Sequence, residues 1–297
     1  MGPESYHHVK SSLHFLTRDP IYQSEKPYLV DKEVDLSNVP RAVETNRILE
    51  ECPVKVHDVR ACLMQEVDID VTGWTFVKGE AEMSTADFHD PPTMESTYFD
   101  ELLQMMKDQF PQYSSLALLD HVVRPQKKSQ VSTRGWGCYR SGATFITYTH
   151  SDFSTKGAER RGEIYVKENP TLEGIPFDML NIWRLIRKGP NNDWSLGLCD
   201  YRTVDIENDL IDNDIVFYQG TTENTVLHFN PSHQWYWKPN MDMDDVIVFR
   251  NASSEGRDAP RAFHGSFEVP DGGGLEQGGL RESIESRIVA FSERSGS

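Results

Sequence analysis

Thr144-Phe145-Ile146-Thr147-Tyr148-Thr149-His150-Ser151-Asp152-Phe153 is the stretch on which the reading of this chain turns. Its first half is built of β-branched and aromatic residues, the composition of a strand. Residues two apart on an extended strand point to the same side, so His150 and Asp152 can offer a nitrogen and an oxygen to one point in space. Taken alone the pattern is weak, because the chain holds 10 histidines and many aspartates, and short motifs recur by accident.

The texture around it supports a β architecture. Short runs rich in branched and aromatic residues recur at Leu116–Leu119, Thr144–Thr149, Asp214–Tyr218, Thr225–Phe229, Gln234–Trp237, Val246–Phe249 and Ile284–Phe291. Turn-forming groups such as Asn230-Pro231-Ser232, Pro239-Asn240 and Gly272-Gly273-Gly274 divide them. This predicts a mainly β fold with flanking helices, a jelly roll or barrel. One clear helix is expected at Tyr98–Phe110, where Phe99, Leu102, Leu103, Met106 and Phe110 keep helical spacing and Thr97 and Asp100 sit like a capping box. Residues 1–50 are polar, interrupted by Pro20, Pro27 and Pro40, and read as an arm packed on a catalytic domain of residues 51–294.

In a jelly roll the strand bearing His150 lies near strands from much later in the chain, so a third ligand should be distant in sequence. His264, in Ala262-Phe263-His264-Gly265-Ser266-Phe267, meets that requirement. Two histidines and one carboxylate suit iron(II), since they occupy one face of an octahedron and leave positions open. Arg281, ahead of the apolar run ending at Phe291, can pair bidentately with the distal carboxylate of 2-oxoglutarate, and Ser283 on the same face adds a hydroxyl. Arg287 shares that parity and competes for the role; the blander alternative is that these arginines are solvated or bridge to surface acids.

Other residues carry less. His228, His233 and His121 read as hydrogen-bonded structural or supporting groups. Cys138 has no recognisable partner for nucleophilic catalysis, and none of the four cysteines forms a CxxC pair, so reduced structural thiols are expected. The acidic stretch Asp205–Asp214 lacks the glycine and final glutamate of an EF-hand and reads as a solvated turn. Trp136, Tyr139, Tyr148, Phe217 and Trp235 are candidates for lining an apolar pocket, or for the core.

The net charge of −17 argues against nucleic acid and anionic membranes as partners. No apolar run of membrane-spanning length appears, and Met1–Lys10 lacks the features of a signal peptide, which points to the cytoplasm. A homodimer contact through the apolar residues Leu13 to Leu16 is one further expectation.

Read jointly, the motifs resemble the hydroxylase/desaturase family of natural-product pathways, which includes gibberellin desaturase and cephem methoxylase-like proteins. The resemblance is carried in order by Val56-His57-Asp58-Val59-Arg60, Leu119-Asp120-His121-Val122-Val123-Arg124, His150-Ser151-Asp152-Phe153 and Asn181-Ile182-Trp183-Arg184. It continues through Leu198-Cys199-Asp200-Tyr201-Arg202, Asn230-Pro231-Ser232-His233-Gln234-Trp235-Tyr236 and Arg281-Glu282-Ser283-Ile284-Glu285-Ser286-Arg287. It implies a double-stranded β-helix, iron(II) with 2-oxoglutarate and O2, and hydroxylation or desaturation of a small molecule. His150, Asp152 and His264 would be the ligands, with Asn181 and Trp183 near the cosubstrate or in strand packing. Two alternatives stand beside it: a metal-free jelly-roll binding protein and a metal-dependent hydrolase on the same fold.

Overall fold

The computed structural model describes residues 8–31, 34–62, 66–79, 83–124, 132–134, 146–188, 194–269 and 281–292. Its strands are β1 (His8–Leu16), β2 (Tyr28–Val30), β3 (Leu49–Asp58), β4 (Trp74–Lys78), β5 (Tyr113–Arg124), β6 (Ser132–Arg134), β7 (His150–Ser151) and β8 (Phe177–Arg187). The chain continues through β9 (Ser195–Cys199), β10 (Leu210–Phe217), β11 (Gly220–Leu227), β12 (Trp235–Trp237), β13 (Asp245–Ser253), β14 (His264–Phe267) and β15 (Glu282–Ser292). They form two sheets, ordered β1-β3-β12-β9-β14-β7-β11-β10-β2 and β4-β13-β8-β15-β5-β6. Neighbours in each sheet come from distant parts of the chain and run mostly antiparallel, the arrangement of a double-stranded β-helix.

Alternation along the smaller sheet assigns its two faces. Ile182, Ile186, Val246, Val248, Ile284 and Ile288 turn outward against the helix Phe99–Gln109, which buries Phe99, Leu102 and Met106 on them. Trp183, Leu185, Ile247 and Phe249 turn the other way and meet Leu196 and Leu198 from the larger sheet, and Ala262 just ahead of β14. The second helix, Thr155–Glu168, follows the β7 segment and covers Met179, Ala252, Val289 and Phe291 through Ala158 and its neighbours.

The helix Phe99–Gln109 falls where its periodicity puts it, but Thr97 does not cap it. The helical path starts earlier, at Pro91, under Asp90, whose side chain accepts from the Thr93 N–H at 3.2 Å. A π-turn at Met94–Tyr98 joins the two parts, so position 97 is already helical and its orphan donors are gone. The expected strand at Thr144–Thr149 is also displaced. Residues 144 and 145 lie outside the described residues, Tyr148 makes an isolated bridge to His14, and the strand proper is His150–Ser151.

Residues 8–16 pair along their whole length with β3 at the edge of the larger sheet, and Tyr28–Val30 closes the opposite edge against β10. Leu13, Phe15 and Leu16 are buried in this chain's own core, so that patch is not a surface for a second subunit. No helix among the described residues is long and apolar enough to cross a membrane.

Candidate metal centre

β7 is two residues long, yet it is the strand on which the site is built. It lies between β14 and β11, with His150 directly opposite His264 on one side and Val226 on the other. The two imidazole ring centroids are 4.4 Å apart. Asp152 lies one residue beyond the strand and its Oδ1 is 3.2 Å from His150 Nε2. Donor atoms of His150, Asp152 and His264 all lie within 4.8 Å of one another.

His150 Nδ1 donates to the Tyr148 carbonyl at 3.0 Å, which turns Nε2 toward Asp152. His264 is deeply buried; burial and the neighbouring His150 push its imidazole down to about 3, so the ring is neutral at physiological pH. Burial alone would raise the Asp152 carboxyl, but the Arg287 guanidinium and His150 hold it well below the usual carboxylate range. A neutral imidazole and an ionised carboxylate are the forms in which such side chains bind a divalent metal.

The carboxylate is positioned by groups from the smaller sheet. Arg287 Nε and Asn181 Nδ2 each donate to Asp152 Oδ2 at 2.7 Å. Arg287 Nη1 also donates to Asp120 at 2.7 Å, and Asn181 Nδ2 reaches Glu285. Asn251 ties the segment down: its Oδ1 accepts from the Asp152 N–H at 2.9 Å, its carbonyl accepts from Ser151 Oγ at 2.8 Å, and its Nδ2 donates to Asn181 Oδ1 at 2.6 Å. Strand register brings these groups together, because Arg287 is the partner of both Asn181 and Asp120, and Phe249, two before Asn251, is the other partner of Asn181.

Two cavities open from the histidines. The smaller one is lined by His150, His264, Trp183, Ser266, Arg281 and Glu285 among others. Arg281 is braced there: its Nε donates to the Trp194 carbonyl at 2.7 Å, its Nη1 donates to Ser283 Oγ at 2.9 Å, and its guanidinium carbon lies 5.1 Å from the Trp183 ring centroid. The larger cavity is bounded by Asp152, Tyr148, Phe217, the helix Thr155–Glu168 and the β10–β11 turn.

The sequence-derived residues therefore separate into groups. His150, Asp152 and His264 converge; Arg281 and Trp183 line the cavity beside them, with Ser283 behind Arg281. Arg287 and Asn181 grip Asp152 and belong to the support of that carboxylate. His121 packs on Phe99 on the outer face of the sheet, away from the site. His228 and His233 are buried elsewhere, against the Leu16 carbonyl at 2.9 Å and Asp209 at 2.9 Å. Asp209 also pairs with Arg18 at 2.7 Å, so the stretch Asp205–Asp214 is not a solvated turn throughout; its second half enters β10. Trp235 belongs to the core under β1, and Trp136, Cys138 and Tyr139 lie outside the described residues.

Sequence reasoning gave no individual role to Asp120, Arg124, Asn251 or Glu285. Glu285 is buried, and burial together with the Asp152 charge raises its carboxyl. The signal was parity, since Ser283, Glu285 and Arg287 alternate on β15 as Asp120 and Arg124 do on β5. Asp242, Asp244 and Asp245 form a second acidic group, but Lys78, Lys188 and Lys238 occupy it.

A family model described as YDMC, Oxidoreductase/YMDC permease-like domain, matches residues 13–291. The chain belongs to this YDMC family. The match takes in both sheets and all three converging residues of the YDMC chain. Among curated proteins it is similar to the hydroxylase/desaturase efuI of Hormonema carpetanum, at 25% identity over 263 residues covering 81% of this chain and 84% of the relative. It is similar to the Fe(II)/2-oxoglutarate-dependent dioxygenase nvfI of Aspergillus novofumigatus at 26% identity, covering 81% and 84%. The gibberellin cluster GA4 desaturase of Gibberella fujikuroi is 28% identical over 182 residues, covering 57% of this chain and 50% of that protein. A solved structure of the iron and alpha-ketoglutarate-dependent endoperoxidase NvfI shares the fold, with a TM-score of 0.78, 22% identity and coverage of 97% and 99%.

Proposed function

We propose that this YDMC chain is an iron(II)- and 2-oxoglutarate-dependent oxygenase that hydroxylates or desaturates a small molecule. The observation that carries the reading is the convergence of His150, Asp152 and His264 beside a cavity that Arg281 also lines. The names of its relatives, a hydroxylase/desaturase and a dioxygenase, point the same way.

The two imidazoles and the Asp152 carboxylate would hold the metal, and Arg281 would pair with the distal carboxylate of 2-oxoglutarate. When bound, iron(II) and 2-oxoglutarate together supply the oxidation of an unactivated C–H bond by O2. The chain's own work is orientation. Arg287, Asn181 and Asn251 fix the Asp152 carboxylate, and Tyr148 orients the His150 ring. Trp183 and Ser283 hold Arg281 in a buried position, where an arginine–carboxylate pair is little screened.

The test is spectroscopic. Iron(II) and 2-oxoglutarate added without oxygen should give a weak visible charge-transfer band, absent in His150→Ala, and oxygen should then be consumed with release of succinate. Iron-loaded wild type that shows no band and releases no succinate would overturn the reading.

A further inference from the structure

The helix Thr155–Glu168 starts at Ser154, whose Oγ accepts from the Gly157 N–H at 2.9 Å. From there Gly157, Arg160, Arg161 and Ile164 recur at spacings of three, one and three, a single helical stripe, and all four line the larger cavity beside Asp152. The same cavity has an apolar lining of Ile146, Tyr148, Phe153, Ile215 and Phe217, with Gln219, Thr221, Thr222 and Asn224 as its uncharged polar part.

The charge in this cavity runs against that of the chain. Its charged lining consists of Arg124, Arg160, Arg161 and Arg287 against Asp120 and Asp152, in a protein whose net charge is −17. Both aspartates are taken by Arg287, and Arg124 lies 3.6 Å from Glu285. Arg160 and Arg161 make no ion pair among the described residues, although Glu163 lies three positions beyond Arg160 on the same helix. Arg161 has one long hydrogen bond, to the Leu119 carbonyl at 3.4 Å. Arg160 is exposed and Arg161 half-buried, and a solvated arginine needs no partner, but both line one cavity in which bases outnumber acids, in a chain where acids outnumber bases 47 to 30.

Building on the oxygenase reading, we propose that the substrate is a small molecule with an apolar body and an acid group, and that Arg160 and Arg161 bind the acid. The apolar lining takes the carbon skeleton, and the arginines, about two helical turns beyond Phe153, fix which part of it faces Asp152. The pair then acts as a specificity device, drawing anions out of solution and orienting them on entry.

Two probes that share an aromatic frame test this: 1-anilinonaphthalene-8-sulfonate, which carries an acid group, and N-phenyl-1-naphthylamine, which does not. Fluorescence titration of the full chain, metal-free, should give binding of the sulfonate at least roughly tenfold tighter than of the amine. Arg160→Gln/Arg161→Gln should abolish that preference while leaving amine affinity within about twofold, and Arg160→Lys/Arg161→Lys should retain most of it. Equal affinities in the wild type, or a preference that survives the double glutamine variant, would overturn the proposal. The iron and 2-oxoglutarate band, recorded on the same proteins, should be unaltered by the glutamine pair. Its absence everywhere would remove the oxygenase reading, while the titration would still decide whether the cavity selects an acid.

Discussion

His264 and His150 are direct partners across the antiparallel pair of β14 and β7, with their rings 4.4 Å apart. Backbone pairing therefore fixes the separation of the two imidazoles before any metal binds, and the third donor needs only the short step from His150 to Asp152.

That step depends on Asn251, which accepts from the Ser151 hydroxyl and from the Asp152 N–H across the two sheets. Asn251→Ala should weaken iron(II) binding by about 10- to 100-fold, the usual effect of losing a group that orients a ligand. Anaerobic iron titration checks it, and a wild-type affinity would show that the β7 segment keeps its path unaided.

Arg287 sits between two acids, Asp120 and Asp152, in buried surroundings. Arg287→Met would leave both carboxylates without their cation, and metal-free protein should lose about 3–5 kcal/mol in denaturant unfolding. Adding Asp120→Asn should restore part of that loss, because one of the two stranded charges goes with it.

Arg281 is expected to act on the cosubstrate and not on the metal. Arg281→Met should leave iron(II) affinity close to wild type and raise the 2-oxoglutarate dissociation constant by roughly 30-fold or more, in line with loss of a buried charge pair. Ser283→Ala, which removes only a brace on Nη1, should cost about 1 kcal/mol of cosubstrate binding.

His228 supplies a pH dependence remote from the metal. Burial holds its imidazole below the ordinary 6.5, despite the Leu16 carbonyl at its Nδ1 and the acids Asp209 and Glu50 nearby, with Arg18 opposing them. A group depressed in the fold stabilises above its unfolded pKa, and that stability is lost as pH falls from about 6.5 toward the folded value. The unfolding midpoint should drop between about pH 7 and pH 5, and His228→Gln should flatten that slope relative to wild type.

Gly73 takes φ 87° with the Arg261 backbone against the place a Cβ would occupy. Gly73→Ala combines a left-handed backbone with a backbone clash that no side-chain rotation relieves, and should cost at least about 1–3 kcal/mol. Thermal unfolding reads it directly.

Much of this was legible in the chain. The runs at Leu116–Leu119, Val246–Phe249 and Ile284–Phe291 fall within β5, β13 and β15, because alternation or continuous apolarity reports burial of a sheet face. His150, Asp152 and His264 could be picked out because few residue types bind metals. The different surroundings of Arg281 and Arg287 were not legible: the two share one parity, and only register shows that Arg287 meets Asp120 and Asn181, while Arg281 lines the smaller cavity beside Ser283. Asn251 was hidden for the same reason, as an ordinary polar residue whose partners come from β7 and β8. The role of Arg160 and Arg161 was hidden, since what distinguishes their helix stripe is the cavity it borders.

The metal side of the centre is carried by sheet strands, whereas the wall facing the larger cavity is a helix stripe and the tip of one hairpin. Residues 160, 161 and 164 can be exchanged without touching a single backbone ladder. Under the substrate role proposed for the arginine stripe, a library confined to those three positions would re-aim the site at other molecules while His150, Asp152 and His264 stayed constant.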